Sequence, residues 1–225
     1  MRTIKFSGGW SFAPATQDDV DAMIEMEKKV FEEEIAFTEP QLRAWIEYNP
    51  NMFYVVKKGE QVEAFTAIAP ITKECYESLK TATKKDMSEF KAEDFSPTRD
   101  FKYCYFADIV ARTATKKGTS EYDPSASNIC FLGVVPIILE NSTYVATTPV
   151  TEDGRQAAQI FGFSKDGQFP VKPEFKPDQL HQNYFVQIVP EITKRAKLAL
   201  GFMRARLKGN DIEEEPIGVK LKLQK

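Results

Sequence analysis

Tyr144-Val145-Ala146-Thr147-Thr148-Pro149-Val150-Thr151-Glu152-Asp153-Gly154-Arg155-Gln156-Ala157-Ala158-Gln159-Ile160-Phe161-Gly162-Phe163 reads as a strand, a helix and an abrupt stop. Tyr144 to Val150 is rich in β-branched residues, which predicts a strand. Thr151 opens a helix that is expected to end near Phe161, its hydroxyl available as a cap. Gly162 can take the left-handed conformation in which helices terminate, and Phe163 then returns to the core.

Upstream, Tyr103 to Ala111 is nearly all apolar, which fits a strand buried on both faces. Nearer the start, Trp10 to Ala15 is a short strand closed by Pro14, and Asp18 or Asp19 supplies an N-cap. Val20, Met23, Ile24, Met26, Val30 and Phe31 recur at helical spacing. A second helix is predicted over Glu39 to Tyr48, with Pro40 in the tolerant first turn and Leu42, Trp45 and Ile46 inward. Met52 to Lys57 and Gln61 to Ile71 form a hairpin across Lys58-Gly59-Glu60. Lys73 to Leu79 predicts a short helix. Thr81 to Lys102 is polar, charged and weakly periodic, and reads as a long surface connection.

Downstream of the central strand, Ser127 to Leu139 is apolar and helical at first, with Pro136 expected to kink or end it. Phe169 to Phe175 and Asn183 to Val189 are further strand candidates. Ile192 to Leu207 is an amphipathic helix with Ile192, Ala196, Ala199, Leu200, Met203 and Leu207 inward. Lys194, Arg195, Lys197, Arg204, Arg206 and Lys208 are expected on its wet side. Helices crossing between late strands imply parallel neighbours in part of the sheet.

Composition narrows the function classes. Of the 225 residues, 42% are apolar and 17 are Phe, enough for a sizeable core. The formal net charge is −3, which argues against a general nucleic-acid binder. No run approaches the roughly 20 apolar residues of a membrane span, and Met1 to Phe12 has no apolar core for a secretory leader. Cys75, Cys104 and Cys130 are few and widely spaced, so reduced thiols in a cytoplasmic protein are expected. His181 is the only histidine and no cysteine pair has ligand spacing, so neither a zinc site nor a hydrolytic triad is expected.

The strand, helix and Gly162-Phe163 stop, with the element order from Trp10 to Phe163, resemble the GNAT family of acetyl-CoA-dependent N-acetyltransferases. The resemblance implies an α/β fold with a mixed, mostly antiparallel central sheet flanked by helices, here with a C-terminal helical extension. It places a GNAT-like domain over residues 1–189, with a helix and charged tail over 190–225 packed on the same body. It implies acetyl-CoA as cosubstrate and a small-molecule or peptide amine as acceptor; the composition adds the expectation of no nucleic acid, membrane or metal as partner. A homodimer is an open assembly state.

The same resemblance assigns candidate site residues. The family's pyrophosphate loop falls on Thr115-Lys116-Lys117-Gly118-Thr119-Ser120, where Thr115 replaces the usual Arg or Gln, Gly118 matches and Ser120 is still small. Small residues let backbone N–H groups reach phosphate oxygens, and Lys116 and Lys117 supply charge. An alternative register starts the helix at Asp123-Pro124 and offers the amides of Ser125, Ala126 and Ser127. The family's bulged central strand donates a backbone N–H to the thioester carbonyl, here expected near Val110 or Ala111, with Arg112 adjoining. Asp108 stands among Phe106, Ala107, Ile109 and Val110, and such desolvation raises a carboxylate pKa and suits a general base. Thr151 stands where the family has an Asn beside the pantetheine arm. Ala158 stands where the family has its tyrosine acid, so that role is vacant; Tyr103, Tyr105 and Tyr144 read as replacement acids or as packing.

Overall fold

The structure is a computed structural model that describes residues 3–31, 36–84, 86–113, 125–149, 152–164 and 184–208. Its centre is a seven-stranded sheet in the order β1-β2-β3-β4-β5-β6-β7. The strands are β1 Ile4–Phe6, β2 Trp10–Pro14, β3 Phe53–Lys58, β4 Gln61–Pro70, β5 Tyr103–Ala111, β6 Tyr144–Thr147 and β7 Tyr184–Gln187. Every neighbouring pair is antiparallel except β5 and β6, which are parallel. The sheet is therefore mixed and mostly antiparallel, as expected, and the parallel pair lies where a helix crosses between late strands.

Helices α1 Val20–Val30, α2 Glu39–Tyr48 and α3 Lys73–Lys80 cover one face. Helices α4 Ser125–Asn141, α5 Glu152–Ile160 and α6 Pro190–Lys208 cover the other. Strand alternation sorts side chains between two cores. Phe53, Val55, Phe65 and Ala67 face α1 and α2, whereas Tyr54, Val56, Ala64 and Ile68 face α4. Gly133 lets α4 lie close to the sheet, because a Cβ there would sit 2.5 Å from the Phe12 ring.

Local signals account for most boundaries. Thr16 and Asp19 form a capping box ahead of α1, and Lys57 pairs with the buried Asp19 at 2.6 Å. Thr38 and Gln41 form another ahead of α2, with Pro40 in its first turn. Helix α5 ends in a Schellman motif, in which Phe163 N–H donates to Ala158 O and Gly162 N–H donates to Gln159 O, both at 2.9 Å. Gly162 has φ 90°, and a Cβ there would meet Ile192 at 2.5 Å.

Three expectations need correction. Of the kink or end expected at Pro136, the end does not occur: helix α4 runs through it to Asn141. Loss of one ladder bond costs about 3 kcal/mol, and burial of Val134, Val135, Ile137 and Ile138 on both sides of the proline offsets it. Thr81 to Lys102 is no loose surface connection, since Met87, Phe90 and Phe95 are buried in the α1–α3 core. Ser96 N–H donates to Pro70 O at 2.9 Å, and Tyr48 Oη donates to Ser96 O at 2.8 Å. Arg195 is not simply on the wet side of α6: it donates to Ile160 O at 2.8 Å and Gln159 O at 2.5 Å, covering carbonyls at the end of α5. The short edge strand β1 was not anticipated, and the strand candidate Phe169 to Phe175 lies outside the described residues.

Candidate functional site

Strand β5 has two unlike edges. Along β4 the register runs Pro70↔Cys104, Ala69↔Tyr105, Ile68↔Phe106, and then Thr66↔Ile109, Phe65↔Val110, Ala64↔Ala111. One residue on β4 is thus matched by two on β5, so Ala107 and Asp108 form a bulge opposite Ala67. Packing confirms the shift. Tyr105, Ala107 and Val110 face the α1–α3 core, whereas Cys104, Phe106, Ile109 and Ala111 face the α4 core. Strict alternation along the same residues, with no bulge, would turn Ile109 and Val110 each to the other face.

Along β6 the ladder is brief. It pairs Tyr103↔Tyr144, Cys104↔Val145 and Tyr105↔Ala146. Beyond Ala146, β6 keeps to β7 through Thr147↔Tyr184, while β5 runs on with β4 to Ala111. The two parallel strands therefore part just before the bulge. This gap lies at the carboxyl ends of the parallel pair, where α4 and α5 begin, the usual place for ligands in sheets with crossover helices.

The direction of the β5 amides follows from one backbone hydrogen bond. Arg112 N–H donates to Glu63 O at 2.8 Å. Alternation then turns the Val110 N–H toward β4 and the Ile109 and Ala111 N–H groups toward the side β6 has left. Of the two positions expected to present a backbone donor, Ala111 has the suitable direction and Val110 does not. Ile109 was not foreseen, because only the bulge gives it that orientation.

The Arg112 side chain is engaged elsewhere. Its guanidinium donates to Val62 O at 3.1 Å and lies 3.6 Å from Glu25 and 3.9 Å from Glu63. Asp108 is placed in the bulge by its backbone, and its side chain lies outside what is described. Lys116, Lys117, Gly118, Thr119, Ser120 and Thr151 also lie outside the described residues. So do the acidic run Glu32-Glu33-Glu34, Asp123-Pro124 and His181.

Ala158 is buried in the α4–α6 core beside Phe161 and Phe163. Tyr103 and Tyr144 stack at 5.0 Å at the far end of the parallel pair, away from the gap, so they act as packing. Tyr105 lies at the gap, and its hydroxyl donates to Thr148 Oγ1 at 2.9 Å. All three cysteines are buried and free. Burial pushes the Cys75 and Cys104 thiols up to about 12 and raises Cys130 further, the opposite of what a nucleophilic thiolate needs. Among the described residues, no helix is long and apolar enough to cross a membrane.

No family model matches the sequence, and no curated protein matches it. Solved structures are similar at low identity. The loading GNATL domain of CurA from Lyngbya majuscula is 8% identical, with 85% of this chain and 83% of that one covered and a TM-score of 0.48. A GphF GNAT-like decarboxylase in complex with isobutyryl-CoA is 13% identical over 79% and 99% of the two chains, with a TM-score of 0.49. Ard1 from Thermoplasma volcanium is 9% identical over 80% and 99%, with a TM-score of 0.47. Independently of these likenesses, the mixed sheet order, the bulged β5, its parting from β6 and the Gly162-Phe163 stop give the chain a GNAT fold.

Proposed function

We propose that the chain is an N-acetyltransferase that moves an acetyl group from acetyl-CoA to a primary amine of an acceptor. The observation that carries this reading is the parting of β5 from β6 at the bulge, with Ile109 and Ala111 amides turned to the gap. Acetyl-CoA would supply the activated acyl group as a thioester. A backbone N–H pre-aimed at the thioester carbonyl stabilises the negative charge that develops there, and it needs no reorganisation to do so. Ala111 and Ile109 are the donors in position, and Val110 supports them by its bond direction into β4. Asp108, in the bulge, is the proposed base, taking the amine proton directly or through water as the amine nitrogen bonds to the carbonyl carbon. The C–S bond then breaks and the thiolate leaves.

The segment Lys116, Lys117, Gly118, Thr119 and Ser120 follows β5 in sequence and precedes α4, the right place for amides and charge beside a pyrophosphate. Thr151, next to the start of α5, is the proposed contact for the pantetheine arm. The acceptor amine approaches from the variable loops around the gap. Calorimetry with acetyl-CoA and CoA tests the reading, followed by an acceptor screen monitored by thiol release. Binding and turnover support it, and absence of binding at millimolar ligand overturns it. An unchanged rate in Asp108→Asn removes that residue as the base.

A second reading has its own observation. Ala158, where the family has its tyrosine acid, is buried against Phe161 and Phe163. A GNAT-fold protein that binds a CoA-type ligand or a protein partner without catalysis fits that substitution. Tight CoA binding with no thiol release across amine acceptors would select it.

A further inference from the structure

We propose that Tyr105 and Thr148 are positioning residues that hold the β5–β6 gap at a fixed width through their hydroxyl pair. The proposal rests on the reading of that gap as the seat of a CoA-type arm. Tyr105 belongs to the last pair in the β5–β6 ladder, opposite Ala146. Thr148 comes just after β6 ends at Thr147, on the chain that leads to α5. Their hydroxyls meet at 2.9 Å in a buried setting. The bond therefore ties β5 to the chain two residues beyond its final β6 pairing at Ala146, where nothing in the ladder limits their separation.

The surroundings make this tie firm. Tyr105 is 2% exposed, and its ring packs edge-on against Phe90 at 5.1 Å. Phe90 belongs to the segment stitched to β4 through Ser96 and Pro70. The phenol is thus held from the α1–α3 side while its oxygen reaches across to Thr148. On the β6 side, Thr147 remains in register with Tyr184 of β7. Thr148 is the first residue past that constraint. Breaking the hydroxyl pair frees the chain leaving β6 to move relative to β5, and the gap widens or collapses. A buried hydrogen bond is costly to leave half-made, so removing one hydroxyl should be felt at the gap rather than absorbed.

The test compares Thr148→Val, Thr148→Ser and Tyr105→Phe with the parent chain. CoA affinity is measured by calorimetry, folding by thermal unfolding, and backbone opening by amide exchange over Phe106 to Ala111. Thr148→Val and Tyr105→Phe should each weaken CoA binding roughly tenfold and speed exchange on that segment. Thr148→Ser, which keeps the hydroxyl, should stay within about twofold of the parent, a rescue that general destabilisation would not give. Equal CoA affinity in the parent, Thr148→Val and Tyr105→Phe overturns the proposal. If the parent itself does not bind CoA, the functional reading falls, and exchange alone then decides. Faster exchange in Thr148→Val but not in Thr148→Ser supports the tie, and equal exchange in both overturns it. Should Thr148→Val fail to fold, Tyr105→Phe carries the same comparison.

Discussion

One edge of β5 is held by β4 from Cys104 to Ala111, and the other is held by β6 only from Tyr103 to Tyr105. The first edge absorbs an extra residue and continues; the second is abandoned at almost the same place. The difference teaches how a sheet can carry a cleft without losing its core. Pairing on one side keeps the strand rigid, so amides turned to the other side are fixed in direction although, among the described residues, no strand is paired there.

The most disruptive way to break this comparison is to insert an alanine after Ala67, which gives β4 a partner for each member of the bulge. Removing the bulge would bring β5 into simple register with β4 and exchange the faces of the residues on one side of it. Val110 is fully buried in the α1–α3 core, and Ala111 is buried in the α4 core. Such inversion should abolish cooperative folding, a loss above about 4 kcal/mol, read by denaturant unfolding. A parent-like transition would show that the bulge is incidental.

A smaller effect is expected at the β6 side, where α5 must stop sharply for the chain to return beside β7. Gly162→Ala places a Cβ at φ 90° and 2.5 Å from Ile192. Combined backbone strain and overpacking should cost about 3 kcal/mol, measured by thermal unfolding. The cost should be much smaller at Gly201, where an added Cβ meets nothing within 4 Å.

A third effect, absent at neutral pH, is shared by both faces of the sheet. Cys75 and Cys104 are raised to about 12 by burial, whereas an unfolded cysteine titrates near about 8.5. The folded state therefore keeps protons that the unfolded state releases. Stability contributed by the neutral thiols is complete below the unfolded value and is lost as pH rises from there toward about 12. Denaturation midpoints should fall over that window, and a Cys75→Ser, Cys104→Ser pair should flatten the fall. Thiol reagents at neutral pH should react only after unfolding.

What was legible in the sequence and what was not divide along the same seam. Gly162, the cap at Asp19, Pro40 in the first turn of α2 and the hairpin around Gly59 announce themselves, because each is a local backbone requirement met by a particular residue type. The bulge is a relation between two strands. Phe106-Ala107-Asp108-Ile109 contains no glycine, and the run Tyr103 to Ala111 is so apolar that alternation gives no phase. Hence a donor was expected at Val110 or Ala111, and only the register separates the two and adds Ile109. Similarly, Pro136 is a sound helix breaker by local rules, and packing on both sides of it overrides them. Tyr105 could be named as a tyrosine near the centre, but its partner Thr148 lies far along the chain, and no spacing pattern joins them.

The central claim is that the β5–β6 gap seats a CoA-type ligand, and amide exchange on the chain with and without acetyl-CoA tests it most directly. Ile109 and Ala111 should gain protection on adding ligand, with β3 and the β4-facing Val110 amide unchanged. Absence of binding at millimolar acetyl-CoA, or protection confined to residues away from β5 and β6, would contradict it.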